Sequence, residues 1–79
     1  MRLDKYLKVS RLIKRQTVAN EACDGDRVTV NGKPAKASYD VKVGDQIELR
    51  FGTRTLRVEV LAVAEAVRKD DAAAMYREL

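Results

Sequence analysis

Asn31-Gly32 stands between two short runs, Arg27-Val28-Thr29-Val30 and Lys33–Ala37, in which side chains alternate in character. A two-residue hairpin of this kind needs positive φ at both turn positions, which Asn and Gly tolerate best. The dipeptide therefore implies an antiparallel β-hairpin in the first half of the chain. Pro34 has no N–H to donate, so the returning strand is expected to be short or to lie at a sheet edge.

Before the hairpin the period is helical. Leu3, Tyr6, Leu7 and Ser10 are spaced for one face of a helix, with Asp4 in the first turn, where the helix dipole favours an acid. Asp4 could also pair with Lys8 one turn on. A break around Val9–Arg11 precedes a second helix, starting at Lys14 or Thr17 and running to Asp24, where Gly25 stops it. Its buried stripe is expected from the i, i+4 pairs Val18–Ala22 and Ala19–Cys23. After a turn at Val43-Gly44-Asp45, strands are expected at Gln46–Phe51 and Thr55–Val63, around Gly52-Thr53. A terminal helix is expected over Asp70–Glu78, with Ala72, Met75, Tyr76 and Leu79 on one face. The order α-α-β-β-β-β-α describes an α+β domain: two short N-terminal helices packed with a small antiparallel sheet, plus a C-terminal helix.

The chain has 79 residues, one cysteine and no histidine. That is one domain's worth of core, and no disulfide or Cys/His metal site can reinforce it. The same shortage leaves no plausible nucleophile or acid/base set, and no Gly-rich loop cradles phosphates. An enzyme is therefore not expected, nor a cofactor or metal. Cys23, on an apolar stripe beside an acid, reads as packing. No apolar run is long enough to span a membrane, and charges begin at Arg2 where a signal peptide would be apolar. These features point to a cytoplasmic protein with no membrane partner.

Charge is distributed unequally. Residues 1–36 hold nine Lys or Arg against four Asp or Glu, net +5, whereas residues 37–79 hold seven against eight, net −1. A one-sided basic field suits a polyanion partner. Lys5 and Lys8 share a flank of the first helix, Arg11, Lys14 and Arg15 follow it, and Lys33 and Lys36 adjoin the hairpin turn. Bases from a helix pair and a hairpin on one surface fit the irregular phosphate path of structured RNA. Three Tyr and one Phe are too few for a single-strand surface built on stacked bases.

Arg2-Leu3-Asp4-Lys5-Tyr6-Leu7, Ala19, Gly25, Val28-Thr29-Val30-Asn31-Gly32 and Val43-Gly44-Asp45, in that order and spacing, resemble the S-four RNA-binding domain, also called the alpha-L motif. The resemblance covers residues 1–51 and leaves 52–79 as a strand-and-helix extension of one domain spanning 1–79. With Val9–Arg15 and the Ala73–Tyr76 segment added, the chain is similar to stand-alone family members that act on obstructed large ribosomal subunits. That likeness implies binding to large-subunit RNA and peptidyl-tRNA during ribosome-associated quality control. It further implies support of C-terminal alanine tailing, with the alanine-tailing factor as a protein partner. Otherwise the chain would be a general structured-RNA module, for tRNA or other ribosomal RNA, or a ribosome-assembly factor. A monomer is the default for this size. By resemblance, Arg2, Lys5, Arg11, Lys14, Arg15 and Lys33 contact RNA. Gln16 stands where the family usually has arginine, so a charge-assisted fork to phosphate is missing there.

Overall fold

Helix α1 spans Leu3–Val9 and helix α2 Gln16–Asp24, followed by strands β1 (Val28–Val30), β2 (Lys33–Pro34), β3 (Gln46–Phe51) and β4 (Arg54–Val60). A short helix α3 (Lys69–Ala72), a 3₁₀ turn (Ala73–Met75) and strand β5 (Tyr76–Glu78) complete this computed structural model, which describes residues 1–79. The strands form one antiparallel sheet in the order β2-β1-β3-β4-β5. The helix pair covers its inner face: Leu3, Tyr6, Leu7, Ala19 and Cys23 pack with Val28, Val30, Ile47, Leu49, Val58 and Val60 in one buried cluster.

Local sequence explains most of the boundaries. No side chain caps α1, and its first N–H groups are satisfied by the 37–39 segment instead: Leu3 donates to Tyr39 O at 2.8 Å and Asp4 to Ala37 O at 3.3 Å. Helix α2 ends at Gly25, where a Cβ would lie 2.9 Å from Glu21 O, so a side chain would collide with the last turn. Asn31 and Gly32 take φ of +53° and +84°, as the hairpin requires. The Val43-Gly44-Asp45 turn is tied to that hairpin through Asp45. Its carboxylate accepts from Asn31 Nδ2 (3.1 Å), Tyr39 OH (3.2 Å) and Lys42 N (3.0 Å). The two turn motifs thus share one hydrogen-bond network.

Three local expectations are corrected, and one, a short return strand at the sheet edge, is met. The terminal helix stops at Ala72 and its 3₁₀ extension at Met75, so 76–78 are strand and not helix. Their backbone completes the β4 edge, and Val60, Glu59 and Val58 pair with Tyr76, Arg77 and Glu78. The return strand after Asn31-Gly32 pairs only at Lys33 and Pro34, and as the edge strand it tolerates the proline. Strand β4 ends at Val60 rather than Val63, where the chain turns toward α3. Val18 is 45% exposed, because the buried side of α2 is Ala19, Ala22 and Cys23. Burial, with Asp4 and Asp24 nearby, pushes the Cys23 thiol up to about 12, which keeps it protonated and unreactive.

Candidate nucleic-acid interface

The loop between the helices sets the first cluster of bases. Ile13 is buried and its N–H reaches back to Leu7 O at 3.1 Å, while buried Ser10 donates from Oγ to Leu7 O at 3.3 Å. Anchoring those two side chains inward turns Arg11 and Lys14 outward. Arg11 takes φ of +63°, a left-handed conformation that costs a residue with a Cβ about 1 kcal/mol. The turn thus holds a cation where glycine would fit more easily. Lys8, Arg11 and Lys14 line one side of a cleft of about 440 Å³, and Glu65, Ala66 and Val67 line the other. Lys8, Arg11, Lys14 and Arg15 are all exposed, and none enters an ion pair within the chain.

A second cluster surrounds Asp4, which is only 2% exposed. Its carboxylate accepts from Arg2 Nε (3.1 Å), Lys5 N (2.8 Å), Asn20 Nδ2 (3.2 Å) and Gln16 Nε2 (3.4 Å). Burial alone would raise its pKa. The hydrogen bonds from Arg2, Asn20, the Lys5 backbone and Gln16 outweigh burial and hold the carboxyl below its ordinary 3.8. The expected Asp4–Lys8 pair does not form, because the carboxylate turns inward to α2 and Arg2 while Lys8 faces solvent. Gln16 is exposed and shares this carboxylate with Arg2, so it stands beside a cation that the carboxylate partly neutralises.

The remaining sites differ in availability. Lys5 is half-buried, with Nζ 3.9 Å from Glu65 Oε2. Lys33 is exposed on the edge strand and unpaired. Lys36 reaches Asp24 O and Asp26 Oδ1, both at 3.3 Å, so its charge is already engaged next to the end of α2. Sequence reasoning missed Asn20 and Glu65. Asn20 could have been found, since it lies one helical turn after Gln16 on the same flank. Glu65 had no local signal, because only the tertiary fold brings it to the basic cleft.

That acid should weaken polyanion binding. Glu65→Gln is expected to raise RNA affinity roughly twofold at low salt, with the gain vanishing as salt screens the exposed carboxylate. Fluorescence anisotropy across a salt series would check this, and an unchanged affinity would mean that the cleft is not the phosphate seat.

The S4 domain profile matches residues 1–47. Over 76 residues the chain is 59% identical to a protein of Streptococcus pneumoniae named RQC P-site tRNA stabilizing factor, covering 96% of this chain and 86% of that one. A Bacillus subtilis protein of the same name is 53% identical over 76 residues, covering 96% and 88%. Among solved structures, Vibrio cholerae heat shock protein 15 superposes with a TM-score of 0.92 at 34% identity, covering 100% of this chain and 81% of that one. The solution structure of the hypothetical protein HP1423 gives 0.84 at 32% identity, covering 100% and 96%.

Proposed function

The chain belongs to the S4 domain family, and from that premise we propose that it binds the large ribosomal subunit and stabilises P-site tRNA in ribosome-associated quality control. Arg2, Lys5, Lys8, Arg11, Lys14, Arg15, Gln16, Lys33 and Lys36 form the RNA-facing set. Lys8, Arg11, Lys14 and Arg15 carry most of the attraction, because they are exposed and free of internal acids. RNA is held by phosphate and shape, with no chemistry performed on it. A buried, protonated Cys23 supports a non-catalytic role. Large-subunit RNA and peptidyl-tRNA are the partners, and the alanine-tailing factor shares the complex. The observation that carries the ribosomal assignment is the likeness, over 96% of the chain, to factors named for P-site tRNA. No helix is long and apolar enough to cross a membrane.

Sucrose-gradient fractionation of the tagged protein in lysate, at low and moderate salt, tests this reading. Co-migration with large subunits that carry tRNA is expected. Migration at the top of the gradient under both conditions would redirect the proposal to a smaller structured RNA.

Gln16→Arg is a sharper local test. An arginine there would add a cation to the face and take a share of the Asp4 carboxylate, leaving Arg2 freer for phosphate. Binding should tighten by roughly five- to eightfold near 0.1 M salt if one phosphate contact is gained. Equal affinity at every salt concentration would place this flank of α2 away from RNA.

A further inference from the structure

A second patch lies on the other flank of α2, about 200° around the helix from Gln16. Val18, Glu21, Arg27, Arg50, Phe51 and Gly52 surround a cleft of about 300 Å³, at the lower end of the roughly 300–1,000 Å³ usual for ligand sites. Phe51 continues the inward phase of Ile47 and Leu49 along β3 but lies past the end of the core, so it remains 45% exposed. Val18, equally exposed at 45%, is the apolar side chain beside it. Arg50 N donates to Arg27 O at 3.0 Å, which holds the two arginines next to each other.

The charge around this ring is mainly positive. Arg27 and Arg54, the latter directly across the hairpin from Phe51, enter no ion pair. Arg50 alternates to the opposite face of β3, where it lies 3.4 Å from Glu48, which is also 3.7 Å from Arg57, and Glu21 is the acid on the cleft wall. An exposed aromatic face bordered by guanidinium groups is suited to one unstacked base and its flanking phosphates. One ring cannot support a surface that tracks a strand, but it can cap a single base.

We propose that Phe51, with Arg27 and Arg54, forms a nucleobase-stacking subsite for an unpaired nucleotide of RNA, separate from the basic cleft of the helix pair. This rests on the RNA-binding reading and adds a second point of attachment to it. The charge excess favours RNA over a protein partner, which would meet two unpaired arginines around a small apolar patch.

The chain has no tryptophan, so Phe51→Trp introduces a single tryptophan at the site, which can be excited apart from the three tyrosines. Titrating that variant with oligoadenylate should quench its fluorescence saturably, and an abasic oligomer of the same length should not. Equal quenching by both, or none by either at low salt, would overturn the proposal. Phe51→Ala should weaken oligoadenylate binding about fivefold or more, the loss of one stacked base. Phe51→Leu should lose nearly as much, and if it binds like the parent the patch is an apolar docking surface and not a stacking site. Repeating the titration with Lys8, Arg11 and Lys14 replaced by alanine separates the two readings. Base-dependent quenching should persist there, whatever becomes of ribosome co-sedimentation.

Discussion

Replacing Lys8, Arg11 and Lys14 together by alanine is expected to weaken binding to the large subunit by roughly a hundredfold to five-hundredfold at 0.1 M salt. The figure follows from counterion release: each phosphate contact contributes about 0.7 to 0.9 of a unit to the log–log salt slope, so three contacts amount to roughly two to three decades relative to 1 M salt. These three side chains are chosen because they line one cleft and have no internal acid partner. Arg2 and Lys36 already face Asp4 and Asp26, and their removal should cost less. The slope and the affinity must move together. A loss of affinity with an unchanged slope would point to misfolding, which circular dichroism and thermal melting of the variant would reveal.

Asp4→Ala should lower stability by about 2–3 kcal/mol, the upper part of the range for losing hydrogen bonds to a charged group. The carboxylate is almost wholly buried and accepts from three residues on α1 and α2 and from Arg2, while Arg2 itself is half in solvent and can be rehydrated. For a domain of this size that corresponds to a drop in Tm of roughly 10–20 °C. The effect should depend on pH in a definite direction. Because the folded pKa is depressed, the stabilisation is fully present above the ordinary carboxyl value of 3.8 and is lost as pH falls through the lower, folded value. The gap in Tm between the parent and Asp4→Asn should therefore be widest near neutrality and narrow below pH 3.8. A gap that stays constant from neutral to strongly acidic pH would sink the idea that the charge, and not the shape, of Asp4 joins the helices.

The elements that were legible in the sequence are those whose signals are local. The helix pair, the Asn31-Gly32 hairpin and the edge position of Pro34 each follow from spacing or backbone chemistry within a few residues. The basic residues of the first half were equally plain. Their pairing was not, because it depends on partners distant in sequence: Asp4 meets Asn20 across two helices, and Lys36 reaches the end of α2. Strand β5 shows why the C-terminal segment was misjudged. Ala72, Met75 and Tyr76 have helical spacing, and only the open edge of β4 decides for strand from Tyr76 onward. Phe51 presented a similar ambiguity. Its alternation suggests a core residue, and only the position where the core ends leaves the ring exposed.

Arg11 has a consequence for how such a chain could be improved. Glycine or asparagine at that left-handed position would relax the turn, gaining up to about 1 kcal/mol. A library selected for heat resistance alone should therefore drift toward those residues at position 11. It would gather variants that survive heating and have lost a cation from the cleft. Ranking the same library by melting temperature and by retention on ribosomes should give opposite orders at this one position.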